Sequence, residues 1–305
     1  MTTLLPAVAL DLLAGEPPRA LHPVVWAGRG LGWAAARAPR QPPVRARVAG
    51  AGIAVAGPLT AAAAAMALHR LPARGLRRGV ETAALSATFS LRELGAAAQR
   101  VGVALDRRDL PGARSHLRDL VSRPTAGLDG AHIASAAIES VAENLVDSAL
   151  APWLAFAVAG LPGAAAYRVV NTADAMLGYR GPLRDLGWAS ARLDDACNLV
   201  PARLGAAALC VAAPLVGGRP GAAWRITRAQ AGRTASPNAG WPMAAAAAAL
   251  GVWLEKPGHY RLHPRGREPR AGDIGRALRL AAGAAALGLA LATGLAAATG
   301  RERGR

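Results

Sequence analysis

Aromatic residues make up only 4% of this 305-residue chain, and it holds two cysteines and a single lysine, Lys256. Each scarcity removes a class of function. Cys197 and Cys210 are too few for a disulfide framework, and no Cys/His spacing suggests zinc. The one lysine lies in Glu255-Lys256-Pro257-Gly258, and the chain has no G-x-x-x-x-G-K-[ST] loop. A nucleotide here would not be held in the Walker manner. No nucleophile elbow and no Ser-His-Asp order can be drawn. Basic blocks interleaved with aromatics are missing too, which argues against nucleic acid as a partner. The first basic residue, Arg19, follows the apolar N-terminal stretch instead of preceding it. Residues 3–14 therefore read as a retained membrane segment, short for a full span, and not as a cleaved signal. Strand-like alternation of useful length and internal repeats are absent as well.

What is present is small and apolar. Hydrophobic residues reach 52%, mostly Ala, Leu and Val, a mixture that suits helices packing closely in lipid better than a soluble core. The net charge of +17 is almost all arginine, read as loop residues gripping anionic headgroups. Four stretches are long and apolar enough to cross a bilayer: residues 48–68, 149–167, 199–218 and 280–300. The second is interrupted by Pro152, Gly160, Pro162 and Gly163. Segment Trp241–Leu254 reads as buried or interfacial. Val80–Leu105 reads as one long helix and Asp106–Val121 as a shorter one, broken at Arg123-Pro124-Thr125. Arginines flank the first long span on both sides, so the positive-inside rule assigns no orientation. The expected fold is all-α: one multi-pass helical domain over residues 1–305 in the cell (inner) membrane, with polar helical segments forming a site at its surface.

Polar residues gather between the apolar stretches. No Lys or Arg lies between Arg123 and Arg168, yet Asp129, Glu139, Glu143 and Asp147 do. The last three are spaced i, i+4, i+8, along one helix face. Like charges at that spacing repel, so a cation should sit against them: a metal ion, an amine, or arginines from elsewhere in the fold. Asn171-Thr172-Ala173-Asp174 and Gly178-Tyr179-Arg180 follow an apolar stretch, facing a cavity or capping a helix. In Gly187–Asn198, Asp194 and Asn198 are helical neighbours and Arg192 can pair with Asp195. Adjacent carboxylates with an amide suit Mg²⁺, and a surface Arg–Asp pair is the plainer reading. Ser236-Pro237-Asn238 precedes a helix starting near Pro242, where backbone N–H groups favour anions or simply need a cap. Asp11 is costly in its apolar segment. His22 reads as a satisfied structural histidine.

Taken in order, these segments resemble the CobD/CbiB cobalamin-biosynthesis family. The resemblance rests on DLLAGEPPRALHPVVWAGR (Asp11–Arg29), the stretch around Asp129–Asp147 (LDGAHIASAAIESVAENLVDS), VNTADAMLGYR (Val170–Arg180), LGWASARLDDACNLVPARL (Leu186–Leu204) and SPNAGWPMAAAAAALGVWLEKPG (Ser236–Gly258). It departs where the family usually has GDP and this chain has Gly15-Glu16-Pro17. Ala175 stands where the family has a serine, and Arg123-Pro124-Thr125 where it has RDT. The resemblance implies an adenosylcobinamide-phosphate synthase, which joins adenosylcobyric acid to (R)-1-aminopropan-2-ol or its O-phosphate with ATP and Mg²⁺. The implied partners are that corrinoid, the amine, the bilayer and other membrane enzymes of cobalamin assembly.

With that chemistry, Glu143, Asp147, Asp174 and Asp194 are the expected metal ligands, with Asp195 a further candidate. Glu139, Glu143, Arg192 and Asp195 are the expected catalytic set, Glu139 binding or deprotonating the substrate ammonium. Substrate and phosphate contacts fall to His22, Asn171, Arg180, Asn198, Arg203, Ser236 and Asn238. Two rival readings stay open: a transporter or signalling relative of the same fold, and a prenyltransferase holding Mg-diphosphate.

Overall fold

The computed structural model describes residues 3–178 and 181–299. Its helices, in chain order, are α1 (Leu4–Ala14), α2 (Pro23–Arg37), α3 (Pro43–Ala67), α4 (Arg74–Ser86), α5 (Arg92–Asp106), α6 (Leu110–Leu117) and α7 (Gly130–Leu145). They continue with α8 (Ala151–Leu177), α9 (Arg184–Cys197), α10 (Leu199–Ala212), α11 (Pro220–Gln230), α12 (Gly240–Leu250) and α13 (Ala271–Ala298). A π turn at Val146–Leu150 follows α7. One short hairpin pairs β1 (Leu254–Lys256) with β2 (Tyr260–Leu262). Three residues per strand are too few for alternation to show in sequence, and the other elements among the described residues are helical, as expected of an all-α fold.

Among the described residues, four helical stretches are long and apolar enough to cross a membrane: Pro43–Arg70, Gly130–Leu177, Leu199–Val216 and Ala271–Ala298. Each expected span lies largely within one of them. The first and last begin earlier than their uncharged cores, because Arg45 and Arg47 ride on the first turns of α3, and Asp273 and Arg276 on those of α13. At 11 residues, α1 rises only about 16 Å, well short of a hydrocarbon core of about 30 Å. The expected helix over Val80–Leu105 is two helices instead. Ala87–Leu91 breaks it, with Thr88 Oγ1 donating to Leu85 O at 2.7 Å. A side chain that bonds its own preceding turn offers the backbone an alternative to continuing the helix.

The chain forms two compact units. The first comprises Met1–Ser90, Ala151–Asn198 and Leu291–Arg305. Its core is α3, α8 and α9, packed at glycines. A Cβ on Gly50 would meet Leu186 O at 1.9 Å, and one on Gly187 would meet Leu177 O at 1.8 Å. Such approach without a side chain is how helices gain contact where lipid removes the hydrophobic drive. Val48, Val55, Leu59 and Met66 on α3 stay exposed and form an apolar outer face. Inside α8 the backbone turns over at Gly160 (φ 69°), two residues before Pro162.

The second unit comprises Leu91–Leu150 and Leu199–Ala290. At its centre α12 is buried almost all round, the outcome expected for an alanine-rich helix with no polar stripe. Around it lie α7, α10 and α11, and the hairpin packs on α7. The short 3₁₀ turn Ala213–Val216 and α12 both end at left-handed glycines, Gly217 (φ 76°) and Gly251 (φ 71°). The last carbonyl of each, Val216 O and Leu250 O, accepts from Arg276 at 2.7 and 3.2 Å. Arg276 also pairs with the buried Asp273 at 2.8 Å, and Arg267 grips the same carboxylate through both amino groups at 2.5 and 2.7 Å.

Candidate functional site

In the first unit the polar residues form a wired set on α8 and α9. Asp194 takes an amide donor on each oxygen, from Asn171 at 3.3 Å and from Asn198 at 3.1 Å. Asn198 is 2% exposed, and its own oxygen accepts the Tyr167 hydroxyl at 2.8 Å. Arg168 donates to the Asn171 oxygen at 3.4 Å. The chain of bonds fixes both amides with their N–H groups toward Asp194. Burial drives the Asp194 carboxyl above its ordinary range, against the pull of those two donors, and raises Asp195 as well. A partly desolvated carboxylate held rigidly is what a hard cation stabilises. Asp174 lies one turn from Asn171 with its carboxylate folded toward Gly178, half-buried. Arg192 is exposed and only 3.7 Å from Asp195, the plain surface pair. Arg180 lies outside the described residues.

His22 is a cap. Its Nδ1 accepts Val24 N–H at 3.2 Å to start α2, which leaves Nε2 to face Glu16 at 3.6 Å. The polar contact with the His22 ring holds the Glu16 carboxyl down to about 2, with smaller help from Ser90 and Arg168. Both ring nitrogens of His22 thus face groups of its own unit.

In the second unit the acidic face of α7 meets its cation in protein. Glu139 is 5% exposed and pairs with Arg123 at 3.0 Å. Ser135 Oγ lies 3.4 Å from its other oxygen. The arginine comes from the Arg123-Pro124-Thr125 segment, so the pairing alternative left open for this face holds for Glu139. Glu143 is half-buried one turn on; burial, then the charges of Glu139 and Glu143, push the Tyr260 hydroxyl upward. Asp147 sits in the π turn, where the 3.6-residue period is interrupted, so the single-face reading does not carry through it. Arg203 donates to Asn238 Oδ1 and, at 3.1 Å, to Pro237 O, and its guanidinium lies 4.9 Å from the Trp241 ring. Ser236 Oγ accepts from the N–H groups of Asn238 and Ala239 at 3.2 and 3.3 Å. These three residues hold the turn before α12.

A family model described as CobD/Cbib protein matches residues 4–290, nearly the whole chain and both units. The chain belongs to the CobD/CbiB family. Among its CobD/CbiB relatives, the "Probable cobalamin biosynthesis protein CobD" of Methanothermobacter thermautotrophicus is 45% identical over 265 residues, 86% of each chain. The "Cobalamin biosynthesis protein CobD" of Dehalococcoides mccartyi is 39% identical over 269 residues, 84% of each. That of Mycobacterium tuberculosis is 40% identical over 297 residues, 92% of each. No solved structure matches the chain.

One cluster of this CobD/CbiB chain was not singled out from sequence. Asp129, the N-cap of α7, accepts both the backbone N–H of His132 at 2.9 Å and its ring Nδ1 at 2.7 Å. Those contacts hold the Asp129 carboxyl below its usual range, the backbone bond contributing most. The far nitrogen, Nε2, faces Glu255 of β1 at 3.7 Å, and Arg261 of β2 stands 3.7 Å from the same carboxylate. Trp253 underlies the group, 5.3 Å from the His132 ring and with Arg261 over its face at 4.6 Å. The spacing Asp129-x-x-His132 at a helix start was the available signal; Glu255 is 123 residues further along the chain and gave none. Among the described residues no three His, Cys, Asp or Glu side chains converge into a ready-made metal site.

Proposed function

We propose that this chain acts in cobalamin biosynthesis as an amide-forming ligase, joining adenosylcobyric acid to (R)-1-aminopropan-2-ol or its O-phosphate with ATP. The observation that carries the reading is the family match over residues 4–290, with relatives named for cobalamin biosynthesis. The residues give it a chemical form. A carboxyl group must be activated, as an acyl phosphate, and an amine must then displace the phosphate.

The donor set on α8 and α9 fits a magnesium ion. Mg²⁺ commonly takes one or two protein carboxylates and completes its shell with phosphate oxygens and water, so a cluster of three protein ligands is not required. Asp194, oriented by Asn171 and Asn198, and its neighbour Asp195 would hold it, and Asp174 lies near the end of the same helix as Asn171. When bound, the ion would neutralise charge on the nucleotide phosphates. Asn171 and Asn198 keep the Asp194 carboxylate in one orientation, which removes reorganisation from the step. Glu139 is engaged by Arg123 within the second unit.

The test is synthesis in vitro. Purified protein with adenosylcobyric acid, ATP, Mg²⁺ and each amine form is expected to give the condensed corrinoid by mass spectrometry. Asp194→Ala is expected to lower the rate at least about 100-fold. No product with either amine would sink the proposal. Full activity in Asp194→Ala would remove the magnesium assignment while leaving the ligase reading in place.

A further inference from the structure

We propose that the groove between α2, α3, α4 and α8 binds an anionic phospholipid of the bilayer, its acyl chains along α3 and its phosphate on Arg70, Arg74 and Arg78. The site lies wholly within the first unit and is independent of the ligase reading.

The groove holds about 880 Å³, within the range of roughly 300–1,000 Å³ common for ligand sites. Its α3 wall runs from Ala49 to Leu68. That is a rise of about 28 Å, close to the depth of a hydrocarbon core. The wall offers little to a polar molecule. Thr60 and Thr88 give their hydroxyl protons to Ala56 O and Leu85 O, each at 2.7 Å. Trp26 gives its indole N–H to Ala20 O at 2.8 Å. Of the other polar groups there, Arg168 donates to Asn171 at 3.4 Å, and the Trp33 ring lies 4.2 Å from the Arg37 guanidinium. Alkyl chains need no donors, whereas a nucleotide or a corrinoid amide would lose hydrogen bonds on entering. Gly30 on α2 and Gly52 on α3 line the groove, with no atom within 4 Å of where a Cβ would stand. A bulky side chain at either position has room to enter it.

Charge selects the lipid. Among lipid tails an apolar groove gains nothing from the hydrophobic effect, so a headgroup must choose the occupant. Leu68 at the end of α3 and Val80 on α4 both line the groove. The residues between them, 69–79, include four arginines and no carboxylate. Arg70 ends the candidate span Pro43–Arg70, which places this rim at headgroup depth. Glu81 meets His69 at 3.2 Å and Arg77 at 3.9 Å. Arg70, Arg74 and Arg78 are exposed and form no ion pair among the described residues. Three such guanidiniums beside an apolar groove complement a phosphodiester on two acyl chains.

The test is lipid binding by the full-length protein in detergent. Native mass spectrometry follows titration with dioleoyl phosphatidylglycerol or dioleoyl phosphatidylcholine. Wild type is expected to bind one phosphatidylglycerol at least about tenfold more tightly than phosphatidylcholine. The triple variant Arg70→Gln, Arg74→Gln, Arg78→Gln should lose that preference and bind both lipids weakly. Gly52→Phe should weaken binding of both lipids while leaving the lipid-free melting temperature unchanged. Gly30→Phe should do the same from α2, and it carries the test if Gly52→Phe misfolds. Equal affinity for the two lipids in wild type, or undiminished binding in both phenylalanine variants, would overturn the proposal. Stabilisation by inorganic phosphate equal to that by phosphatidylglycerol would also overturn it, marking a site for free anions. So would a dimer that the phenylalanine variants dissociate, since the occupant would then be a second copy of the chain.

Discussion

A carboxylate as deeply buried as Glu139 needs partners, and Arg123 lies 3.0 Å away with Ser135 near its second oxygen. Removing one member of such a pair leaves an uncompensated charge, whereas replacing both does not. Arg123→Ala is expected to cost about 3–5 kcal/mol in thermal unfolding, and the double change Arg123→Met, Glu139→Gln should recover most of it. Additive losses would show that the ion pair is not the coupling. Glu16 predicts a pH effect. Its folded-state value, about 2, lies below the ordinary 4.5, so the ionised form stabilises the fold above 4.5, and that contribution is lost as pH falls from about 4.5 towards 2. The melting temperature of wild type should exceed that of Glu16→Gln at neutral pH, and the gap should close through that window. A gap that persists at pH 2 would contradict the His22 contact as its source. At this scale the sequence carried much of the chemistry. Asp194 with Asn198 and Arg192 with Asp195 were readable from helical spacing, because i, i+3 and i, i+4 neighbours are fixed by geometry. Asn171 to Asp194, Arg123 to Glu139 and His132 to Glu255 join residues on different elements, and spacing says nothing of those.

Among the elements, the spans were legible because a bilayer demands about 20 apolar residues in a row, and few other structures need that. Their ends were not, since Asp273 and Arg276 enter α13 as a pair whose charges meet each other and Arg267. A window that stops at charge stops too soon there. The break at Ala87–Leu91 and the π turn were equally invisible, having no proline to mark them. Glycine placement carries the prediction at this scale. Gly187 lets α9 lie against the end of α8, where an added methyl would meet Leu177 O at 1.8 Å. The obstacle is backbone, which cannot swing aside. Gly187→Ala is expected to cost at the upper end of about 1–3 kcal/mol. Gly75→Ala, with open space around it, should cost little by comparison, apart from its effect on helix propensity. Similar melting temperatures for the two variants would mean that the helices part easily.

Across the whole molecule, four apolar helical stretches and the exposed outer face of α3 call for lipid. The chain is expected to remain with membranes through an alkaline carbonate wash and to need detergent for release; recovery in the supernatant would refute the spans. The family match over residues 4–290 covers nearly the whole chain, as the ordered run of motifs suggested.

Arg276 sets an order of manufacture. It closes the carbonyl ends of the Ala213–Val216 turn and of α12, which leave the ribosome 60 and 26 residues before it. Until α13 is made, both ends lack this partner. A nascent chain halted before Arg276 would display two helix ends without that closing partner. One late arginine thus works as a completion mark for a unit built mostly before it.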